Sequence, residues 1–288
     1  MITIFTPTYN RAYIIHKLYY SLINQTTKDF EWLIVDDGSV DNTKEVINKF
    51  ILENKINIQY HFKENGGKHR AINWGAQIAK GDLFFIVDSD DFLAVNAIER
   101  ILFHYENIKE NESFAGISGI RAFTNGLKIG SETPFDILDC SSIDFRFKYK
   151  IKGDMAEVIR TEILRKHPFP DFEGEKFCPE SLVWNRIAHL YKFRYFFEKI
   201  YICEYLEDGL SKNSIKGRMN SPKYAMQIYS ELARMNIPLT IKIKSHINYW
   251  RFAFCSTQKF REKLSVIGLA SLIAIPFGYY LHIIDLNK

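Results

Sequence analysis

The chain has 288 residues, of which 47% are hydrophobic, with 23 Phe and 16 Tyr, and this content argues against a disordered protein. Its four cysteines have neither paired nor ligand-like spacing, which argues against a disulfide framework or a zinc site and favours reduced thiols. The net charge of +4 is uneven, because residues 216–288 contain 11 Lys or Arg and 3 Asp or Glu. No signal-peptide pattern precedes the first strand-like residues, so we expect a cytoplasmic location.

The first 125 residues alternate between apolar runs typical of strands and amphipathic patterns typical of helices. Asn10 and Asp41 are predicted N-caps of the first two helices, and Gly81 is predicted to end the third. Strands separated by helices of this length predict βαβ units, and therefore an α/β fold with a mostly parallel sheet. The predicted strands are Ile2–Thr6, Trp32–Val35, Ile56–Phe62, Leu83–Val87 and Ala115–Phe123, and the predicted helices include Ile14–Ile23, Val46–Ile51, Lys68–Ala79 and Ala97–Tyr105.

The regular alternation ends after residue 125. We predict one α/β domain over residues 1–215, followed by a basic and helical C-terminal region over residues 216–288. In the remainder of the chain we expect an irregular segment at 126–153, a strand at Met155–Arg160, a loop at 161–179, a helix at Glu180–Tyr191, a strand at Phe193–Tyr205, and helices from about residue 219 onward.

The acidic segment Asp88-Ser89-Asp90-Asp91 directly follows the apolar run Leu83–Val87. A buried strand that ends in three carboxylates concentrates negative charge, and a hard divalent cation held by oxygen ligands would neutralise it. Open α/β sheets bind ligands at the carboxyl ends of their strands, which favours the same interpretation. A solvated acidic turn is the alternative for this segment taken alone.

Three further polar loops follow the earlier predicted strands, and the carboxyl ends of parallel strands meet at one edge of a sheet. Together these loops offer an aromatic ring, carboxylates that accept hydrogen bonds, and a Gly-Gly turn flanked by cations. Each one could be an ordinary turn, but with the acidic segment they suit a nucleoside diphosphate bound through a cation. The three loops are Thr6–Arg11, Asp36–Ser39 and Glu64–Arg70.

The order and spacing of these motifs resemble those of glycosyltransferase family 2. The resemblance is strong over residues 1–125 and looser over 150–210, and it implies a GT-A fold, a nucleotide-sugar donor and inversion at the anomeric carbon. Residues 1–125 would then form the nucleotide-binding half and residues 126–215 the acceptor-binding half. The motifs are Thr6-Pro7-Thr8-Tyr9-Asn10-Arg11, Val35-Asp36-Asp37-Gly38-Ser39, Asn65-Gly66-Gly67-Lys68 with Ala71 and Asn73, and Asp88-Ser89-Asp90-Asp91.

The resemblance also implies roles for single residues around the nucleoside. Thr6, Pro7 and Tyr9 would line the nucleobase pocket. Asp37 would accept a hydrogen bond from the base, with Asp36 close by.

A second group of residues would contact the rest of the donor. By the same resemblance, Lys68 would lie near the diphosphate and Asp88 would face the ribose. Asp90 would be the main protein ligand of Mn²⁺ or Mg²⁺. Asp91 would ligate the ion or support the site, and a helix N-cap is its alternative role.

The base that activates the acceptor is expected in the second half of the chain. Members of the family often carry an acidic pair just before a helix, and Cys178-Pro179-Glu180-Ser181 stands at that place. Because Ser181 replaces the second acid, Glu180 is the predicted base, and stabilisation of the helix N-terminus is its alternative role. Asp171, Glu173 and Glu175 are reserve candidates, and Glu204–Gly209 is a candidate for a further metal or phosphate contact.

Near the C-terminus, the 21 residues of Leu264–Ile284 contain no Asp, Glu, Lys or Arg and follow a basic segment. This combination predicts contact with the anionic cytoplasmic leaflet of a membrane. Pro276 and Gly278 argue against a full span, so we expect an interfacial helix rather than a spanning one, with a buried helix as the remaining alternative.

Together with the residue pattern, the resemblance therefore implies a metal-dependent, inverting hexosyl- or N-acetylhexosaminyl-transferase, which we expect at the inner face of the cell membrane. Its expected donor is a nucleotide sugar, with a UDP-sugar favoured, and its expected acceptor is a glycan or polyprenyl-linked glycan in cell-surface polysaccharide synthesis. We expect no nucleic-acid partner. The alternative is a non-catalytic subunit of a membrane-associated complex that binds nucleotide sugars or glycans.

Overall fold

The apolar runs of the first half form four parallel strands. These strands are β1 (Ile2–Thr8), β2 (Phe30–Asp36), β3 (Ile58–Phe62) and β4 (Leu83–Ile86), and they lie in the order β3-β2-β1-β4. Every residue of β1, β2 and β4 is buried, which is why these segments are largely apolar rather than alternating. Their carboxyl ends bring the predicted polar loops to one edge of the sheet.

Five more strands extend the sheet: β5 (Phe92–Leu93), β6 (Phe114–Phe123), β7 (Ile137–Cys140), β8 (Met155–Arg160) and β9 (Lys192–Cys203). Strand β8 is antiparallel to both β4 and β6, whereas β6 and β9 are parallel. The order in the described residues is β3-β2-β1-β4-β8-β6-β9-β5, with β7 paired to β9. The predicted α/β class is confirmed, and each antiparallel pair includes a strand that follows residue 125, where the sequence indicated no pairing.

Amphipathic helices connect the strands and follow them. Helix α1 buries Leu18 and Leu22 and helix α4 buries Ile98 and Ile101, as the 3.6-residue spacing predicts. The helices are α1 (His16–Ile23), α2 (Thr43–Glu53), α3 (Lys68–Ile78), α4 (Ala97–Glu106), α5 (Ser142–Phe147), α6 (Thr161–Lys166), α7 (Ser181–Ile187), α8 (Ser214–Asn220), α9 (Pro222–Arg234), α10 (Leu239–Ala253), α11 (Phe260–Ile267) and α12 (Ile275–Leu286), with a 3₁₀ helix at Leu269–Ala274.

The computed structural model describes residues 1–204 and 213–287. The chain divides into two compact units. The first unit comprises Met1–Pro168 and Arg186–Leu206, and the second comprises Phe169–Asn185 and Glu207–Lys288. The nine-stranded sheet belongs to the first unit, and α8 to α12 belong to the second.

The helix ends predicted from sequence differ from those observed. Asn10 is not an N-cap, because it has a left-handed φ of 53° and its Oδ1 accepts from the backbone N–H of Val40 at 2.9 Å. The N-cap position of α2 is Asn42, but the side-chain bond at this helix start comes from Asp41, whose Oδ1 accepts from the backbone N–H of Thr43 at 3.0 Å. Gly81 does not end α3. Its N–H donates to Thr3 Oγ1, and an added Cβ would lie 2.4 Å from the backbone nitrogen of Thr3. Gly81 is therefore required for the close approach of two chain segments.

Several short elements were not predicted, and their length is the reason. Strand β7 lies in the segment expected to be irregular, and its four residues are too few for alternation to be recognised. Helix α5 has a side-chain cap, since Ser141 Oγ accepts from the backbone N–H of Asp144 at 3.1 Å. Helix α6 begins directly after β8, within the segment predicted as a loop. Tertiary context rather than local pattern fixes these elements.

The second unit is helical from α8 to α12, which confirms the prediction for residues beyond about 219. Its core contains the fully buried aromatic side chains of Tyr249 and Trp250. The ends of α10 and α12 are joined by a bidentate pair between Arg251 and Asp285, with N–O distances of 2.5 and 2.7 Å. The apolar C-terminal segment therefore packs along one face against α10.

Candidate functional site

Asp37 holds the glycine turn after β3 against the end of β2. Its Oδ1 accepts hydrogen bonds from the backbone N–H of Gly66 at 2.9 Å and from Lys63 Nζ at 2.5 Å. Its Oδ2 accepts from the backbone N–H of Gly67 at 2.7 Å and from Asn65 Nδ2 at 3.3 Å. Four such bonds fill the usual acceptor capacity of a carboxylate. Asp37 thus positions this turn, and the base contact implied by resemblance stays a prediction.

Replacing Asp37 by Ala is expected to lower the free energy of unfolding by about 3 kcal/mol. The carboxylate is 7% exposed, and its loss leaves Lys63 and two backbone N–H groups without their acceptor. Urea denaturation followed by circular dichroism would measure the change. Asp139→Ala is the control, because its carboxylate is 34% exposed and pairs with Arg194, so its loss is expected to cost less than about 1 kcal/mol. Equal losses in both variants would contradict this role of Asp37.

Asp36 is fully buried at the end of β2 and shapes the turn that follows it. Its Oδ1 accepts from the backbone N–H of Ser39 at 2.8 Å, and its Oδ2 accepts from the hydroxyl of Tyr60 at 2.8 Å. Burial, together with the hydrogen bond to Asp36, raises the pKa of the Tyr60 hydroxyl above its ordinary range. The hydroxyl therefore stays protonated and continues to donate to Asp36.

The three residues predicted to line the nucleobase pocket differ in their exposure to solvent. Tyr9 is 47% exposed just beyond the end of β1, so its ring can present a face to a base. Thr6 and Pro7 are buried within β1. The Thr6 hydroxyl accepts from Trp32 Nε1 at 2.9 Å, and Pro7 lies in register with Val35. All three stay predictions as pocket residues, and Tyr9 is the most accessible of them.

Lys68 and Asp88 meet across the edge of the sheet. Lys68 is the first residue of α3, Asp88 follows β4, and Lys68 Nζ lies 2.5 Å from Asp88 Oδ1. Burial alone would raise the pKa of Asp88, but the positive charges of Lys68, Arg121 and Arg11 hold that pKa below its ordinary value. The carboxylate is therefore ionised, and a primary ammonium group stands beside the acidic segment.

Asp91 is a buried support of the same turn. Its Oδ2 accepts from the Tyr201 hydroxyl at 2.7 Å, and its Oδ1 accepts from the backbone N–H of Glu204 at 3.0 Å. The Tyr201 hydroxyl also accepts from the backbone N–H of Asp88 at 3.0 Å. Burial and the charge of Asp88 raise the pKa of Asp91 to about 7. The helix-cap role for Asp91 is wrong, because β5 follows it and the N-cap of α4 is Asn96.

Asp90 is the carboxylate of this segment best placed to meet a ligand. It is half-buried, and within the described part of the chain no other residue hydrogen-bonds to or pairs with its side chain. Burial and the neighbouring charge of Asp88 raise the pKa of Asp90. A cation bound to the Asp90 carboxylate would offset the cost of burying its charge and the repulsion from Asp88. A carboxylate oxygen is also a ligand that Mg²⁺ and Mn²⁺ prefer. The residues present therefore fit a divalent cation.

No group of three or more His, Cys, Asp or Glu side chains among residues 1–204 and 213–287 is arranged to hold a metal ion. A Mg²⁺ ion held by one carboxylate, water and substrate phosphates does not need such a group. Asp90 is thus the residue to test as a ligand, with Asp88 paired to Lys68 and Asp91 bonded to Tyr201.

Two residues of the site were not identified from the sequence. Tyr201 lies on β9 and Arg121 on β6, 110 and 30 residues beyond the end of the acidic segment in the chain. The guanidinium carbon of Arg121 lies 4.4 Å from the centre of the Tyr201 ring, and its Nε donates to the backbone oxygen of Met155 at 2.8 Å. Arg121 could have been identified from the sequence, because a cation inside an otherwise apolar strand needs a partner. No feature of the sequence distinguishes Tyr201 from the other tyrosines.

The predicted base lies in the second unit. Glu180 directly precedes α7, and its backbone oxygen accepts from the N–H groups of Val183 and Trp184 at 3.0 and 3.3 Å. Among the reserve acids, Asp171 and Glu173 are exposed. Glu175 is buried instead, and its carboxylate accepts from the backbone N–H groups of Lys223 and Tyr224 at the start of α9. Glu175 is therefore a helix-terminal anchor and a poor candidate for a base.

The remaining acidic candidate is only partly described. Glu204 forms an ion pair with Lys17, and its backbone N–H holds Asp91. Residues 205–209 of the segment Glu204–Gly209 lie outside the described residues, and so does position 205 at the end of the strand predicted for Phe193–Tyr205.

A cavity of about 440 Å³ lies within the second unit, beside the segment that leads to Glu180. Its walls combine an aromatic ring and other apolar surface with a few cationic, amide and hydroxyl side chains, a lining typical of small-molecule sites. The lining residues are Gly174, Lys176, Phe177, Asn213, Lys216, Gly217, Asn220 and Ser221.

Comparison with known families gives one match over more than half of the chain. Residues 3–154 match the family described as Glycosyl transferase family 2. The GalNAc(5)-diNAcBac-PP-undecaprenol beta-1,3-glucosyltransferase of Campylobacter jejuni is 25% identical over 265 residues, which are 88% of this chain and 81% of that protein. The first curated relatives are 32 to 41% identical, but the matched part of this chain spans only about a third of their length or less.

Two groups of solved structures share the fold. The crystal structure of S. aureus TarS 1-349 in complex with UDP-GlcNAc has a TM-score of 0.63 and 18% identity, covering 99% of this chain and 88% of that one. The mannosyltransferase PcManGT from Pyrobaculum calidifontis, in complex with GDP-Man and Mn²⁺, has a TM-score of 0.56 and 17% identity, covering 100% and 75%. At these identities the likeness concerns the fold, and it confirms the expected GT-A type.

Proposed function

Because this chain belongs to glycosyltransferase family 2, we propose that it transfers a sugar from a nucleoside-diphosphate sugar to a glycan or lipid-linked acceptor, with inversion at the anomeric carbon. The observation that carries the proposal is the arrangement after β4, where Lys68 pairs with Asp88 and the half-buried Asp90 carboxylate stands beside them. This edge of the sheet offers a diphosphate the ammonium group of Lys68 and, in Asp90, a carboxylate that can bind a metal cation.

The donor is proposed to be a UDP-sugar bound along the carboxyl edge of the parallel strands. The exposed ring of Tyr9 offers a stacking surface for the base, and Asp88 offers oxygens to the ribose hydroxyls. Asp36 and Asp37 hold the two turns that shape the pocket through the hydrogen bonds described above. TarS, which shares the fold, binds UDP-GlcNAc in its crystal structure, and this supports the choice of a uridine nucleotide.

Asp90 is proposed to hold Mn²⁺ or Mg²⁺ together with phosphate oxygens of the donor. A cation bound there would supply positive charge to the diphosphate as it departs, and charge stabilisation of this kind lowers the barrier. Lys68 would add a second positive charge on the same side once the diphosphate competes with Asp88 for it.

The reaction needs one proton acceptor. The acceptor hydroxyl oxygen forms a bond to the anomeric carbon while the bond from that carbon to the β-phosphate oxygen breaks, and the electron pair leaves with the diphosphate. Glu180 is proposed to take the hydroxyl proton, because attack opposite the leaving group requires a base on the acceptor side.

The acceptor is proposed to be membrane-linked, and the protein to act at the cytoplasmic face of the membrane. The Campylobacter relative is named for transfer to an undecaprenol-diphosphate-linked glycan, which supports an acceptor of this class. A product of this kind would belong to cell-surface polysaccharide synthesis.

The test is release of nucleoside diphosphate from a panel of UDP- and GDP-sugars, with lipid-linked glycan acceptors, in the presence and absence of Mn²⁺. We expect one donor to be used, and its turnover to require the added cation. Binding of a nucleotide sugar that raises the melting temperature without release of diphosphate across the acceptor panel would contradict the proposal. That result would favour the non-catalytic binding subunit, for which the missing second acid at Ser181 is the supporting observation.

A further inference from the structure

The helical segment Leu269–Leu286 has two faces of opposite character. Its 18 residues have a mean hydropathy of 1.5, long and apolar enough to cross a membrane by length and composition, and 22% of them are buried. The buried positions Ser271, Ala274, Gly278 and Asp285 follow helical spacing. The opposite positions are exposed, and they form what we call the apolar face: Leu269, Leu272, Ile273, Phe277, Tyr279, Tyr280, Ile283 and Leu286.

The buried side of this segment is fixed to α10 by polar as well as apolar contacts. Arg251 holds both carboxylate oxygens of Asp285, whose side chain is 1% exposed. Trp250 Nε1 donates to Ser271 Oγ at 3.1 Å, and an added Cβ at Gly278 would lie 2.7 Å from Cβ of Trp250. If the segment left α10 to span a bilayer, Asp285 would lose its partner near hydrocarbon, which is costly. The contacts therefore favour a segment that lies on a surface.

The apolar face is unusual because its exposed side chains are large and contiguous. Ile273 is 84% exposed, Tyr280 66% and Phe277 60%, and they recur at intervals of three and four residues. Exposed apolar patches of this kind mark contact with another protein or with a membrane. Tyr279 and Tyr280 also suit the membrane–water interface, where aromatic rings with a polar tip are enriched.

Charge decides between these two classes of partner. Residues 213–287 contain ten Lys or Arg and three Asp or Glu. Each of these three acids is engaged within the same stretch of the chain, Asp285 by Arg251, Glu262 by the backbone N–H of Lys259, and Glu231 by Gln227. A second copy of this chain would bring another excess of positive charge to the same surface. A surface of anionic lipid headgroups complements it instead.

We infer that the apolar face docks on an anionic bilayer, with α12 lying along the membrane surface and the exposed Lys259 and Arg261, at the start of α11, facing lipid headgroups. Binding in this mode combines burial of the apolar side chains with attraction between Lys or Arg and anionic lipid. It goes beyond the proposed transfer reaction and holds whether or not that reaction occurs.

The test is co-sedimentation of the 288-residue chain with vesicles. We expect binding to phosphatidylcholine vesicles that contain about one third phosphatidylserine, and much weaker binding to pure phosphatidylcholine vesicles. The double variant Ile273→Glu/Phe277→Glu is expected to lower the partition coefficient about tenfold or more. The reason is that two exposed apolar side chains, which would be buried in the bilayer, are replaced by negatively charged ones. Washing the anionic vesicles with alkaline carbonate is expected to release the wild-type protein, as it lies on the bilayer.

Leu52→Glu is the matched control, since Leu52 on α2 is 84% exposed, as is Ile273. This variant is expected to bind vesicles like the wild type, and all variants are expected to keep the wild-type melting temperature and nucleotide binding. Equal vesicle binding by the double variant and the wild type would overturn the inference, as would resistance to the carbonate wash. A dimer in light scattering that the double variant abolishes would overturn it in favour of a second copy.

Discussion

Replacing Asp90 with Asn is expected to lower kcat for sugar transfer by about three orders of magnitude, because the cation would lose its protein ligand. Charge stabilisation by a bound cation contributes several kcal/mol, and each 1.36 kcal/mol changes a rate tenfold. The fold is expected to persist, because no other described residue bonds to the Asp90 side chain. Steady-state kinetics over a range of Mn²⁺ concentrations would measure the loss.

Asp82→Asn is the control for the Asp90 variant. Asp82 stands directly before β4, at the opposite end of the strand from Asp90, and its side chain is 79% exposed. The same chemical change there is expected to leave kcat and its Mn²⁺ dependence unchanged. If Asp90→Asn kept wild-type turnover at every Mn²⁺ concentration, the ligand role would be wrong.

Replacing Glu180 with Gln is expected to lower kcat by about a hundredfold to ten-thousandfold while leaving the KM for the donor within about twofold of wild type. The reason is that Glu180 is assigned to the acceptor hydroxyl, whereas donor binding is assigned to the edge of the sheet in the first unit. Binding of the nucleotide sugar, followed by calorimetry, is expected to be unchanged.

Variants of two neighbouring acids, Glu173 and Glu175, serve as controls that distinguish a catalytic base from a carboxylate with a structural role. Glu173→Gln is expected to leave kcat and the melting temperature unchanged, because Glu173 is exposed and is not the residue to which we assign the base. Glu175→Gln is expected to lower the melting temperature, because Glu175 accepts from two N–H groups at the start of α9. Loss of activity in Glu173→Gln with normal activity in Glu180→Gln would transfer the base role to Glu173.

The first half of the fold was predictable because local pattern and tertiary structure agree there. Strands β1, β2 and β4 are buried throughout, so their apolar runs are unambiguous, and each is followed by an amphipathic helix or a polar turn. The same regularity brought Lys68 and Asp88 to one edge, where they form the ion pair. The sequence could predict that they lie close together, but not that they pair.

The second half was less predictable because its contacts are non-local. Strand β8 inserts between β4 and β6 with antiparallel pairing, and neither neighbour is adjacent in the chain. Tyr201 reaches the site through this arrangement, from more than 100 residues beyond the acidic segment. No periodicity within β9 distinguishes a tyrosine that faces the site from one that fills the core.

Hydrogen bonding also shows structural roles for two residues that the family resemblance assigns to the nucleobase, and the nucleobase contacts themselves stay predictions. Asp37 has its four acceptor positions filled by residues 63–67, and the Thr6 hydroxyl is bonded to Trp32. A sequence pattern gives the residue type at a position, whereas the direction of each hydrogen bond depends on the backbone around it. The same holds for Asp91, which supports the acidic turn from within.

The most direct measurement is the anomalous scattering of Mn²⁺ in crystals soaked with manganese and UDP. The account predicts an anomalous peak within about 2.0–2.2 Å of an Asp90 carboxylate oxygen, with UDP phosphate oxygens and water among the other ligands. It also predicts that the Lys68 ammonium group turns toward the diphosphate. Manganese and UDP bound away from the loop after β4, with the Lys68–Asp88 pair unchanged, would contradict the central claim.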